Sequence, residues 1–436
     1  MKFAVISLFI VSLCGCATKG AIENEPMVNS SDLPPYSVGE SINQRDEGDI
    51  SLTLAFSGGG VRAAALSYGT LLALRDTKIM TSKGEVRLLD EVDYIASVSG
   101  GSFTSAYYGL YGDRIFEDYE SEFLYRKVGD DLIHLLFSPT LWFSENGRSE
   151  KAIEYYQEEL FHNATFADLQ RSDGPMIVIN ATDLGGGVRF SFLQEYFDLI
   201  CSDLHSYPVA NAVTASAAVP IVFNPVVLKN HHACLRDTRF VLDRESDNAQ
   251  IQNTLEGLRS YSDKDARPFI HLVDGGISDN LGLLAIYEVV ESAGGDQEFF
   301  ETIKARPLSD FVIIVVDAST TPKYGFELSD DEPSFADTFN AMSDVQLHRY
   351  NDATKDLIRK KMPEWSAAVA NENITPKPHF IDITLNSPHY KDKKYQLNAI
   401  PTDMSLDDES VTLLIDEGRQ QLLNNPTFKA LVESLK

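Results

Sequence analysis

Leu52-Thr53-Leu54-Ala55-Phe56-Ser57-Gly58-Gly59-Gly60-Val61-Arg62 begins as a short apolar run and breaks at three consecutive glycines. Ala63, Leu66, Thr70, Leu71 and Leu74 then follow at helical spacing. The pattern predicts a strand, a glycine loop and a helix. A glycine run at a helix start turns backbone N–H groups outward with the positive helix end behind them, which suits an anion. Two anions are candidates, a phosphate and the transient oxyanion of acyl transfer.

The next apolar run decides between them. Gly58, Gly60 and Ala63 satisfy G-x-G-x-x-A, but a dinucleotide site also needs an acidic residue ending the following strand. That strand, Val92-Asp93-Tyr94-Ile95-Ala96, ends in Ser97-Val98-Ser99-Gly100-Gly101. A P-loop fares worse, since no Gly-Lys-Ser/Thr follows the glycines. Strand, sharp turn with a central Ser, and helix describe a nucleophile elbow, whose crowded backbone demands small residues two positions either side of the Ser. Ser99 meets that demand with Ser97 and Gly101, whereas Ser97 would place Ile95 there and Ser102 would place Thr104. Strand order then puts the glycine amides and Ser99 at one edge of a parallel sheet.

A Ser hydroxyl needs a base. None of the nine His residues has a distinctive setting, although His348, in a predicted helix, has the right chain order for a triad. Phe269-Ile270-His271-Leu272-Val273 reads as a strand ending in Asp274-Gly275-Gly276. A carboxylate held against a Ser and partly desolvated gains proton affinity and can act as its base.

Gly58-Gly59-Gly60-Val61-Arg62, Ser97-Val98-Ser99-Gly100-Gly101 and Asp274-Gly275-Gly276 stand in the order and rough spacing found in patatin-like phospholipases, which this chain resembles from about Leu52 to Leu284. Asn180-Ala181-Thr182-Asp183, Ala215-Ser216-Ala217-Ala218-Val219-Pro220 and Asp279-Asn280 add to the likeness. The resemblance implies a Ser–Asp dyad with Ser99 as nucleophile and Asp274 as base. It also implies an oxyanion hole from the Gly58, Gly59 and Gly60 amides, with Arg62 supporting the loop. A second run, Gly185-Gly186-Gly187-Val188-Arg189, repeats the glycine motif letter for letter but lies between two strand-like runs, and reads as a hairpin connection.

The N-terminus reads as a targeting signal. Lys2 and the apolar run from Ala4 to Leu13 are too short to span a bilayer comfortably. Leu13-Cys14-Gly15-Cys16 resembles a bacterial lipobox with Cys16 as the lipidated residue, and Ala17 after it implies sorting to the outer membrane of a Gram-negative bacterium. In that disulfide-permissive compartment Cys201 and Cys234 remain and are expected to pair. With 65 acidic and 37 basic residues the formal charge is −28, which disfavours nucleic acid and purely electrostatic docking on anionic lipid.

The expectation is an α/β fold, a three-layer α/β/α sandwich with a mostly parallel central sheet, because helices separate apolar strand runs throughout. Its expected parts are a signal peptide at 1–15, a flexible tether at 16–49, a catalytic domain at 50–320 and a C-terminal helix and strand extension at 321–436 packed on the core. The apolar segment Leu135 to Phe143 is either a lid or the buried face of a cap. The expected activity is hydrolysis of acyl esters of phospholipids or related lipids. No His/Cys or carboxylate cluster has zinc or calcium spacing, so neither metal nor cofactor is expected. The alternatives are a Ser99, Asp274 and His348 triad esterase and a non-catalytic lipid-binding lipoprotein.

Overall fold

The computed structural model describes residues 20–27, 34–44, 48–128, 147–171, 173–220, 222–234, 244–321 and 325–436. The expected signal peptide at 1–15, the expected lipidation site Cys16 and the apolar segment 135–143 lie outside the described residues. The strands are β1 (Ser51–Phe56), β2 (Lys78–Thr81), β3 (Gly84–Arg87), β4 (Val92–Val98), β5 (Met176–Asp183), β6 (Val188–Ser191), β7 (Val226–Lys229), β8 (Phe269–Val273), β9 (Asp310–Asp317) and β10 (Lys377–Thr384). One eight-stranded sheet runs β10-β9-β1-β4-β5-β8-β7, with β6 paired to β5. From β10 to β5 every pairing is parallel. Strands β6, β7 and β8 join antiparallel.

Strand periodicity sorts the core onto two faces. On β1 and β9, Leu52, Leu54, Phe56, Val312, Ile314 and Val316 point into one buried cluster. Ala55, Ile313 and Val315 point into the other. Helices α1 (Gly60–Asp76), α2 (Gly100–Tyr111) and α3 (Val209–Ser216) cover the first face. Helices α4 (Leu283–Ser292) and α5 (Phe335–Val369) cover the second. The result is helix, sheet and helix in three layers.

The C-terminal third is part of this sheet. It supplies β10 as an edge strand along all of β9 and α6 (Asp408–Asn424), which packs on α1. The two helices cross so closely that a Cβ on Gly418 would lie 2.3 Å from the Leu66 carbonyl oxygen.

The expectation of a flexible tether is corrected where that stretch is described. Asn24 exchanges hydrogen bonds with the backbone of Lys229, donating from Nδ2 at 2.9 Å and accepting at Oδ1 at 2.8 Å. The Tyr36 hydroxyl donates to the Ile177 carbonyl at 2.9 Å. The physical reason is the open edge of β7, whose backbone groups need partners that the polar N-terminal segment supplies. Beside this contact Cys201 and Cys234 are joined by a disulfide, with Cα atoms 4.5 Å apart.

Candidate active site

Two parallel strands deliver two loops to the carboxyl edge of the sheet. β1 ends at Phe56 opposite Ser97 of β4, so the glycine loop and Ser99 emerge side by side. Ser99 takes φ 49° and ψ −122°, a conformation that costs a non-glycine residue about 1–3 kcal/mol. The close approach explains the glycines beyond it. A Cβ on Gly100 would lie 2.0 Å from the Gly60 carbonyl oxygen, and one on Gly101 would lie 2.7 Å from that of Ser57.

The strained turn is held by a residue to which sequence reasoning assigned no role. Ser99 N–H donates to Ser216 Oγ at 2.8 Å, and Ser216 Oγ donates to the Asn180 carbonyl at 2.6 Å. The carbonyl of Ser216 also accepts Gly275 N–H at 3.0 Å, while that of Ala218 accepts Asp274 N–H at 3.0 Å. The end of α3 and the residues just after it therefore splint the Ser99 turn to the Asp274 loop. In sequence Ser216 stands only as part of the Ala215 to Pro220 motif, with no role of its own, and the partner 117 positions away reveals its use.

Asp274 arrives on an antiparallel strand. β8 pairs Val273 with Thr182 of β5, and β5 in turn pairs Asn180 with Val98, so the end of β8 reaches the level of Ser99. Ser99 Oγ donates to Asp274 Oδ2 at 2.9 Å. Gly276 N–H donates to Oδ1 at 2.7 Å. Burial pushes the Asp274 carboxyl up to about 6, against the opposing pull of the Gly276 amide and the Ser99 hydroxyl.

The glycine loop abuts this pair, since a Cβ on Gly58 would lie 3.3 Å from that of Ser99. Of the three expected donors, Gly58 is corrected. Its N–H donates to the Asn280 carbonyl at 3.0 Å and is not available to a substrate. The Gly59 and Gly60 amides have no acceptor among the described residues and stand at the start of α1. Their φ angles of 138° and 62° turn them out of the helical path. Arg62 is buried beneath the loop, with Nε donating to the Ala318 carbonyl at 2.8 Å and Nη1 to that of Ile400 at 2.7 Å. Burial lowers its pKa to about 10 against the raising effect of Asp317 and Asp344. Val61 N–H donates to the Asp403 carbonyl at 2.9 Å, so the C-terminal third closes over the same helix start.

Residues 54–287, more than half of the chain, match the family model of patatin-like phospholipases. The chain belongs to that family. No curated protein matches it. Among solved structures it is similar to human GIVD cytosolic phospholipase A2, with 14% identity over 91% of this chain and 62% of that one and a TM-score of 0.38. It is also similar to VipD from Legionella pneumophila, with 11% identity over 94% of this chain and 72% of that one and a TM-score of 0.30. The chain thus spans less than two thirds of the human phospholipase chain.

No histidine hydrogen-bonds to Ser99 or Asp274 among the described residues. His348 Nε2 faces the Thr320 carbonyl at 2.8 Å instead. Asn280 was noted in sequence only as part of a motif. Its side-chain oxygen sits 2.8 Å from the place of a Gly58 Cβ and 3.1 Å from that of a Gly276 Cβ, wedged between the two loops. A cavity of about 220 Å³ lies elsewhere. Its lining of Tyr94, Ala96, Ile286, Val290, Phe311 and Trp365 places it under α4 toward the amino ends of the strands, away from the convergent polar groups.

Proposed function

We propose that the protein is a serine acyl-ester hydrolase of the phospholipase A or lysophospholipase type, working through a Ser99–Asp274 dyad. The supporting observation is the 2.9 Å hydrogen bond from Ser99 Oγ to a buried carboxylate that burial has raised to about 6. Asp274 takes the Ser99 proton as Oγ attacks the ester carbonyl. The Gly59 and Gly60 amides, aided by the α1 start, receive the negative charge that builds on the carbonyl oxygen. Collapse of the tetrahedral intermediate expels the alcohol, which takes the proton from Asp274. Water, deprotonated by Asp274, then releases the fatty acid from Ser99 and the proton returns to the serine. The Ser99 amide is committed to Ser216 and takes no part in holding the oxyanion.

The triad alternative loses support from the placement of His348, and a non-catalytic binding role leaves the strained serine without a use. The lipobox-like Cys16 supports anchorage of this hydrolase to the outer membrane, which carries the site to its lipid.

The test compares wild type with Ser99→Ala and Asp274→Asn on short-chain nitrophenyl esters and phospholipid vesicles. Both variants are expected to fold and to lose turnover by about 10³-fold or more. Full activity in Asp274→Asn would place the base elsewhere, and an inert wild type would return the binding-protein reading. The pH profile is a separate check. The base works only when ionised, so kcat/KM of wild type rises through about pH 6 and stays level above it.

A further inference from the structure

Helix α5 is longer than the sheet it covers. Near its end, the Trp365 ring lies 6.3 Å from that of Phe311 at the amino end of β9. Further back, His348 meets Thr320, three residues past the carboxyl end of β9. The fourteen residues from Phe335 to His348 therefore run on past the carboxyl edge by about 20 Å. That is the edge where Ser99 opens. Asp344 acts electrostatically on Arg62 under the glycine loop, and Tyr350 on Asp279 beyond the base, so the helix crosses beside both halves of the site.

The overhang is apolar on one side. Phe335, Met342 and Val345 fall within about 80° of one another on the helical wheel and are 88%, 55% and 55% exposed. Ile277, which donates its N–H to the Asp274 carbonyl, is 53% exposed, and Val219 beside Ala218 is exposed as well. These side chains come from three separate segments at the carboxyl edge of the sheet. A partner helix or strand would need a continuous groove, whereas the interior of a lipid layer accepts scattered apolar points on a common edge. Among the described residues no helix is long and apolar enough to cross a membrane, so such contact is peripheral. Charge selects the kind of lipid. Residues 327–344, the start of the overhang and the segment leading into it, carry six carboxylates and no Lys or Arg, so an anionic surface repels them and a zwitterionic one does not.

We propose that the overhanging start of α5, through Phe335, Met342 and Val345, together with Ile277 and Val219 at the same edge, seats the protein on a zwitterionic lipid surface with Ser99 facing it. This rests on the hydrolase reading only for the identity of what reaches Ser99.

Two readouts on the full chain test it. An environment-sensitive fluorophore on Met342→Cys is expected to shift to the blue with phosphatidylcholine vesicles and far less with phosphatidylglycerol vesicles. No shift, an equal shift on both, or blue emission without any vesicle overturns the proposal, the last because a second copy then covers the face. In the second readout, Phe335→Gln, Met342→Gln and Val345→Gln together are expected to lower turnover of phosphatidylcholine vesicles about tenfold or more. Turnover of a soluble nitrophenyl ester is expected to stay as in wild type. Unchanged vesicle turnover overturns the proposal. Absence of soluble-ester turnover in wild type removes the hydrolase reading instead, and the fluorophore still decides the surface.

Discussion

The same five letters, Gly-Gly-Gly-Val-Arg, occur twice in this chain and build two different things. At 58–62 they turn a buried strand into a helix, leaving two amides beside Ser99 without acceptors among the described residues. At 185–189 they close the β5–β6 hairpin, where Gly187 N–H returns to the Asp183 carbonyl at 2.8 Å and Gly185 N–H to Asp183 Oδ1 at 3.1 Å. The neighbours make the difference. Ala63-Ala64-Ala65-Leu66 favours a helix after the first run, while Phe190-Ser191-Phe192 alternates as a strand after the second. Asp183, set before the second run, ties down the loop amides that the first run leaves open.

The two arginines diverge for the same reason. Arg62 meets only carbonyl oxygens among the bonds described above, and joins the helix start to β9 and to the C-terminal third. Arg189 is buried against a carboxylate, donating from Nε and Nη2 to Glu288 Oε2 at 3.1 and 2.9 Å, from Nη2 to the Tyr196 hydroxyl at 2.9 Å, and from Nη1 to Ser191 Oγ. The sharpest way to expose the contrast is Arg189→Ala. It strands Glu288 in the core without its cation, and is expected to lower stability by about 3–5 kcal/mol as read by denaturant unfolding. A loss under 1 kcal/mol would mean that Glu288 takes a proton or finds water on its own, and the second run would then be a simple connector.

Next in size is Gly60→Ala, which attacks the first run through its backbone. Gly60 has φ 62° and its added Cβ would lie 2.2 Å from the Asp403 carbonyl oxygen, a backbone atom that cannot swing away. The loop must shift, and displacing one preorganised donor lowers kcat by about 10²–10³-fold. Ester turnover measured against fluorophosphonate labelling of Ser99 checks it, since labelling shows whether the nucleophile is still presented. Turnover within a few-fold of wild type would remove the Gly60 amide from the oxyanion hole.

These cases show what a sequence makes legible and why the rest escapes. The parallel strands and the position of Ser99 were readable because apolar runs of five to seven residues and the small-residue demand of a sharp turn are local signals. The nearness of Asp274 to Ser99 was suggested by motif order, but its delivery by an antiparallel strand was not, because periodicity never names a strand's partner. The Gly58 amide looked as open as its neighbours until the Asn280 carbonyl was found against it, and a backbone acceptor leaves no trace in residue identity. The segment from 20 to 27 looked like a linker for the same reason, since its docking relies on Asn24 and on main-chain groups instead of an apolar face. The strand β10 and the Ile400 and Asp403 carbonyls lie well beyond the region of family resemblance, yet the two carbonyls close the helix start that follows the glycine loop.

The smallest expected effect is the most specific check on the comparison. Gly187 has φ 65° but nothing within 4 Å of an added Cβ, so Gly187→Ala carries the conformational cost alone. That cost is about 1–2 kcal/mol for an alanine in the left-handed region, offset by about 0.4–1 kcal/mol because the unfolded chain has less freedom to lose. A net loss near 1 kcal/mol with unchanged ester turnover is therefore expected, measured by denaturant unfolding and nitrophenyl ester hydrolysis on one preparation. The same chemical change is thus asked at two positions with matching letters and matching signs of φ, and only the surroundings differ. A fall in turnover at Gly187 comparable with that at Gly60 would mean that the hairpin reaches the site, and the separation of the two runs into one catalytic and one structural would fail.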